Sequence, residues 1–194
     1  MKEVYVFDFD GTLTRRDTLL EFIRFAKGNV AFGFGFLLYS PILVLMKLHL
    51  YPNWKAKQQI FSYFFRGQKA VDFDAKCRLF AREKRSLIRQ KAVAYMEEAQ
   101  RKGAQIIVVS ASIDNWVQPF FPQVRVVGTK IEVENDRLTG RFLTKNCYGK
   151  EKINRLKEVL SGPREDYYIT AFGDSRGDKE LLEYADKGIY RPFR

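Results

Sequence analysis

The residues most able to do chemistry in this chain sit behind its first apolar run. Asp8-Phe9-Asp10-Gly11-Thr12-Leu13-Thr14 follows Val4-Tyr5-Val6-Phe7 directly. A short β-branched and aromatic run that ends in two carboxylates and a glycine reads as a buried strand opening into a loop. Two aspartates two residues apart at such an edge suit one nucleophilic carboxylate beside one acid/base carboxylate, and open α/β sheets bind ligands there. Taken alone the same residues also make an ordinary acidic turn, since Asp-Gly is common in turns. The rest of the chain decides between these readings.

Three further groups each stand near a predicted strand. Ser110-Ala111-Ser112 ends the Ile106–Val109 run, where a serine hydroxyl and the next backbone N–H can bind a phosphoryl oxygen. Gly173-Asp174-Ser175-Arg176-Gly177-Asp178 ends the Tyr168–Phe172 run. Its two acids, four apart, suit a hard, oxygen-preferring ion such as Mg²⁺. Lys150 and Lys152 open a predicted helix from which a cation could reach the same sheet edge.

The elements that must position these groups follow from periodicity. Strands are expected at Glu3–Phe9, Ala104–Ser110, Val124–Val133, Arg137–Thr144 and Tyr167–Phe172. Helices are expected at Asp17–Lys27, with Asp17 or Thr18 near the N-cap, and at Lys55–Arg82, broken near Arg66-Gly67-Gln68. Others follow at Arg85–Lys102, ending at Gly103, then Asp114–Phe121, Lys150–Leu160 and Lys179–Ala185. Alternating strands and helices imply an α/β sheet. The gap of about ninety residues between the first two strands exceeds any ordinary crossover. A helical insertion over residues 15–84, opening just after Asp10, accounts for it and is expected to cap the site, with residues 1–14 and 85–194 as the core.

Bulk properties narrow the classes. With 194 residues, 46% hydrophobic and 29% charged, the chain fits one globular domain with a sizeable insertion. Two cysteines, Cys77 and Cys147, are too few for a disulfide framework, which points to a reducing compartment. Neither heads a Cys-x5-Arg phosphate loop, and one histidine, His49, argues against a His-dependent triad or a His-rich zinc site. Met1-Lys2-Glu3 enters a strand without a secretory n-region or h-region, so a cytoplasmic location is expected. A net charge of +11 favours anionic partners without choosing among them.

The order and strand-end placement of all four groups together resemble the haloacid dehalogenase-type phosphohydrolases, most closely their phosphoserine-phosphatase-like branch with a helical cap inserted after the first motif. The resemblance covers about residues 1–14 and 86–190. It implies a Rossmann-like parallel sheet, with Asp8 as the nucleophile that forms an aspartyl-phosphate and Asp10 as the acid/base. It also implies Mg²⁺ held by Asp8, the backbone carbonyl of Asp10, and Asp174, with Asp178 orienting that site or the lysine. Gly11 leaves room for backbone beside the phosphoryl group, Thr12 donates to it or fixes the loop, and Ser110, Ala111 and the lysine stabilise its oxygens. The family's Gly-x-x-Lys pattern followed by an apolar residue matches Gly149-Lys150-Glu151-Lys152-Ile153, which selects Lys152 over Lys150. Asp17 stands where phosphoserine phosphatases place an acid that reads the substrate amine, but here it reads better as the helix N-cap.

The insertion carries the substrate question. Residues 28–46 hold no charged residue and have roughly the length of a membrane span. A single span is excluded, because it would part Asp8 from Ser110, Lys152 and Asp174, whose strands must share one sheet. Gly33, Gly35 and Pro41 favour a bent or re-entrant hairpin instead. Either the segment is the buried core of the cap, or residues 28–54 rest on an anionic bilayer with Arg24, Lys27, Lys47, Lys55 and Lys57 as basic flanks. The cap resembles that of phosphatidylglycerophosphatase C-like members, which act on a lipid phosphate. The expectation is therefore a Mg²⁺-dependent phosphomonoesterase whose phosphate-ester substrate is a membrane lipid such as phosphatidylglycerophosphate, acting peripherally at the inner face of the membrane. A small soluble ester, phosphoserine or a sugar phosphate, is the alternative. A non-catalytic module binding nucleic acid or membrane is the rival from another class, but it has no need of all four acids. The oligomeric state is not legible.

Overall fold

The computed structural model describes residues 1–193; Arg194, the last residue of the expected core, lies outside the described residues. Five parallel strands make one sheet in the order β3-β2-β1-β6-β7. They are β1 (Lys2–Phe7), β2 (Gln105–Ile113), β3 (Arg125–Thr129), β6 (Tyr167–Gly173) and β7 (Lys187–Tyr190). Alternation along the inner strands buries both faces. Phe7, Ile106, Val108 and Phe172 face one layer, while Val4, Val6, Ile107, Val109, Ile169 and Ala171 face the other. Near-continuous apolar runs are what a sheet covered on both sides requires. The second face packs under α7 (Lys150–Val159) and α8 (Lys179–Tyr184) through Leu156 and Leu181. The first face takes α5 (Gln90–Arg101) through Ala92, Met96 and Ala99.

Four helices precede α5 in the stretch between β1 and β2 and make up the insertion: α1 (Thr18–Leu38), α2 (Ser40–Lys47), α3 (Asn53–Phe65) and α4 (Ala70–Glu83). Aromatic packing ties them to the sheet. Phe22 lies with its ring centroid 5.4, 5.5 and 5.2 Å from those of Phe65, Phe73 and Phe80, and 5.0 Å from that of Trp116 in α6 (Asp114–Val117). Such pairs add to the area they bury. The hairpin β4 (Ile131–Glu134) and β5 (Arg137–Phe142) is a second attachment. Its Leu138 exchanges main-chain hydrogen bonds with the α3–α4 turn, Gly67 N–H to Leu138 O at 2.8 Å and Leu138 N–H to Gln68 O at 2.9 Å.

Several expectations change. The Asp17-capped helix does not end at Lys27; Gly28, at φ 81°, breaks its regularity and the chain turns helical again to Leu38. A bend of 62° at Tyr39 then leads into α2, so the uncharged stretch is a bent pair, and no single helix among the described residues is long and apolar enough to cross a membrane. The expected helix at Arg85 begins five residues later. Residues 85–89 are instead held against the first loop, with Arg15 N–H donating to Leu87 O and Arg89 N–H to Leu13 O. The expected strand Val124–Val133 is two strands, because Lys130 stands between the main sheet and the hairpin. Strand β7 was not anticipated: Lys-Gly-Ile-Tyr at a sheet edge has no apolar run.

Candidate active site

The carboxyl ends of β1, β2 and β6 meet under α3 and the α1–α2 pair, around a cavity of about 420 Å³. Backbone pairing sets its floor: the Asp8 N–H donates to Phe172 O at 2.9 Å, which continues the β1–β6 register by one residue. Behind it, Gly11 adopts φ 83°, and a Cβ there would collide with the Asp174 carboxylate. A glycine is therefore required on two counts, conformation and space.

Lys152 is the centre of the charged group. Its side chain is 2% exposed, and Nζ donates to Asp8 Oδ1 at 2.5 Å, Asp178 Oδ1 at 2.5 Å and Val109 O at 3.2 Å. Two acids and a carbonyl use all three donors of the ammonium. Lys150 is exposed, since two residues along a helix is more than half a turn. The second oxygen of Asp178 accepts from Asp174 N–H (3.1 Å), Ser175 N–H (2.9 Å) and Ser175 Oγ (2.8 Å), which holds the β6–α8 turn closed.

These contacts set the protonation states. Burial pushes the Asp8 carboxyl up to about 7, against the pull of Lys152 and with help from the charges of Asp178 and Asp10. Against its own burial, Lys152 is held protonated by Asp8 and Asp178. Asp178 is likewise buried, yet Lys152 and the Ser175 donors hold its carboxyl below the usual range.

Asp10 stands apart from this group. Its Oδ1 accepts from the Thr18 N–H and hydroxyl, both at 2.7 Å, and its Oδ2 accepts from the Ser112 hydroxyl. Trp116 Nε1 in turn donates to Thr18 Oγ1 at 3.2 Å. One carboxylate is thus tied to the sheet edge and its neighbour to the first turn of α1. The contacts of Thr18 and Ser112 with Asp10, and of Trp116 with Thr18, are not legible in the sequence, because nothing in their local context separates these residues from an N-terminal helix turn, a loop serine and a core aromatic.

The remaining expected residues are placed as follows. Asp8, Asp10, Ala111 and Lys152 line the cavity. Ser110 is buried just behind it, where its hydroxyl accepts from Ser112 N–H at 3.0 Å. Strand β2 does not end at Ser110 but runs to Ile113 through a register shift. Thr12 is buried with its hydroxyl 3.5 Å from Asp174, which suits a role in fixing the loop. Asp17 caps α1, accepting from Leu19 N–H at 2.9 Å and Leu20 N–H at 3.2 Å, and also reaches the cavity wall. Lys57, expected as a surface flank of the apolar segment, instead points into the cavity.

A divalent cation fits the acidic cluster. Oxygens of Asp8, Asp174 and Asp178 lie within 4.8 Å of one another. Asp178 has both oxygens spent on Lys152 and the turn, whereas no protein donor reaches Asp8 Oδ2 among the described residues. Asp8 and Asp174 are therefore the side chains suited to hold it, and an all-oxygen donor set suits Mg²⁺.

Comparison with known proteins places this geometry. Residues 5–183 match the family model for haloacid dehalogenase-like hydrolases. Protein CicA of Caulobacter vibrioides is 36% identical over 194 residues, covering 97% of this chain and 85% of its own. Among solved structures, a Bordetella pertussis protein of unknown function superposes with a TM-score of 0.82 at 18% identity, over 94% of this chain and 86% of that one. A substrate-bound phosphoserine phosphatase does so with a TM-score of 0.61 at 20% identity, over 98% and 85%. The parallel five-stranded sheet, the strand-end acids and the family match agree, and the chain belongs to the haloacid dehalogenase-like hydrolases.

Proposed function

We propose that this protein is a Mg²⁺-dependent phosphomonoesterase that works through an aspartyl-phosphate on Asp8 and acts on an amphiphilic phosphate ester at a membrane surface. The observation that carries the chemistry is the division of labour between the two carboxylates. Asp8 has one oxygen fixed by Lys152 and the other open to the cavity, which aims a nucleophile. Asp10 is held by Thr18 and Ser112 and lines the same cavity, where it can give a proton to the leaving oxygen and later take one from water. Lys152, held protonated by Asp8 and Asp178, can offset the negative charge gathered on the phosphoryl oxygens. A bound Mg²⁺ supplies Lewis-acid neutralisation between the anionic nucleophile and the anionic ester. Phosphoserine phosphatase, which shares this fold at 20% identity, has been captured as a phospho-aspartyl intermediate analogue, in keeping with this role for Asp8.

The substrate reading rests on the outer wall of the cavity. Phe36, Leu43 and Met46 of the α1–α2 pair line it. The same helices expose Phe34 (62%), Leu37 (72%), Leu38 (56%) and Val44 (56%), with Lys47 and Lys55 beside them. An apolar ridge of this kind exceeds what a water-facing helix ordinarily carries, and its basic rim suits anionic headgroups. The test compares phosphate release from phosphatidylglycerophosphate in mixed micelles with release from phosphoserine and an aryl phosphate, using Asp8→Asn as the blank. Preference for the lipid, together with loss of anionic-vesicle binding in a folded Phe34→Ser/Leu38→Ser variant, is expected. Turnover of soluble esters alone would return the ridge to an ordinary cap.

A further inference from the structure

The chemistry above leaves one cation of the cavity without a task. Lys57 enters from α3 and lines the cavity together with Ala56 and Ile60 of the same helix and with Lys152. Its Nζ donates to Ala111 O at 2.6 Å. That carbonyl also accepts from Thr129 Oγ1 at 2.9 Å, so the sheet edge fixes where the ammonium stands. An ammonium has three donors. Among the described residues no second hydrogen bond or ion pair engages Lys57, and two donors remain for whatever fills the cavity.

The surroundings indicate what that is. Asp10 and Asp17 are the acids whose charges act most on Lys57, and burial lowers its pKa against them. A half-buried cation with donors unspent in the cavity suits an anion. The phosphoryl group itself is served by Lys152 at the sheet edge, whereas Lys57 is bonded to Ala111, the neighbour of the Ser112 that donates to Asp10, the residue placed to protonate the leaving oxygen. From this juxtaposition we propose that Lys57 is a specificity-determining residue: it binds a second anionic group, carried on the alcohol that departs from the scissile phosphomonoester. The inference rests on the phosphatase reading and deepens it, because it selects esters with two anionic groups over esters with one. A phosphodiester in a lipid headgroup and a carboxylate on a small alcohol share this chemistry.

The experiment measures kcat and KM for two pairs of esters that differ in the second anion. In mixed micelles the pair is phosphatidylglycerophosphate and phosphatidic acid; in solution it is phosphoglycolate and ethyl phosphate. The wild type is expected to favour the second-anion member of one pair, and that pair identifies the source. Lys57→Met is expected to raise KM for that member by about tenfold or more, as loss of one charge-assisted hydrogen bond requires. Lys57→Arg is expected to restore most of the preference, which a packing role would not do. Equal losses on both members of each pair, or no preference in the wild type, would overturn the assignment. Titration of phosphoglycolate and ethyl phosphate into Asp8→Asn protein, with and without Lys57→Met, separates the two claims. If no ester turns over, the phosphatase reading fails, and the binding difference alone still decides for or against Lys57.

Discussion

Replacing Lys152 by Met removes one ammonium and leaves two carboxylates facing each other in the interior. The wild-type group is almost wholly shielded, with side-chain exposures of 2% for Lys152, 8% for Asp8 and 0% for Asp178. Removing one partner of a buried ion pair costs about 3–5 kcal/mol, because the other charge stays behind. With a urea slope of about 2 kcal/mol/M, the unfolding midpoint should fall by about 1.5–2.5 M. The exposed Lys150→Met should stay within about 0.5 kcal/mol of wild type.

The pH dependence has a definite sign. In the wild type, Lys152 is held above its unfolded value, so its contribution is complete below about pH 10 and is lost as pH rises further. Asp178 is held below its unfolded value, so its contribution is present above about pH 4 and is lost on acidification. Asp8, raised to about 7, works the other way and costs stability that grows as pH rises towards 7. Without the lysine both carboxyls are pushed upward, and protonation discharges them. The deficit of Lys152→Met should therefore be smaller at pH 5 than at pH 8. Urea unfolding followed by far-UV circular dichroism and the fluorescence of buried Trp116 reads both quantities. A deficit below about 1 kcal/mol, or one that grows on acidification, would refute the electrostatic reasoning.

Other perturbations probe the frame around this group. Thr18→Val should lower turnover and cost about 1–3 kcal/mol, since it removes a donor to Asp10 and strands the Trp116 N–H; an unchanged rate would free Asp10 from that support. Gly11→Ala should abolish activity and weaken Mg²⁺ binding, read by calorimetry, because its Cβ must displace the Asp174 carboxylate; normal metal affinity would contradict this. Cys147, with its thiol pushed up to about 12 by burial, should resist a thiol-specific reagent at pH 8 until urea is added, as should the buried Cys77. Rapid stoichiometric labelling of the native protein would show that the core opens there.

How much of this was legible beforehand differs from element to element. Strands β1, β2 and β6 were readable because each is an apolar run buried on both faces, although β2 continues past its apolar run to Ile113. Lys152 rather than Lys150 was selected by a motif, and the helix phase gives the physical reason. The partners of Asp10 were not readable, since Thr18, Ser112 and Trp116 converge only through tertiary packing, at sequence separations of 8 to 102. Lys57 was misread as a membrane flank because composition does not say which way a half-buried lysine of an amphipathic helix points. The continuation of α1 past Gly28 was missed because a glycine at φ 81° is also how many helices end.

The central claim is that Asp8 carries the phosphoryl group. Its most direct test is an acid quench during turnover of a phosphate-labelled ester with Mg²⁺, followed by peptide mapping of the protein-bound label. The account predicts a hydroxylamine-labile acyl phosphate on Asp8, chased by unlabelled ester and absent from Asp8→Asn. Label on another residue, or sustained turnover by Asp8→Asn, would contradict it.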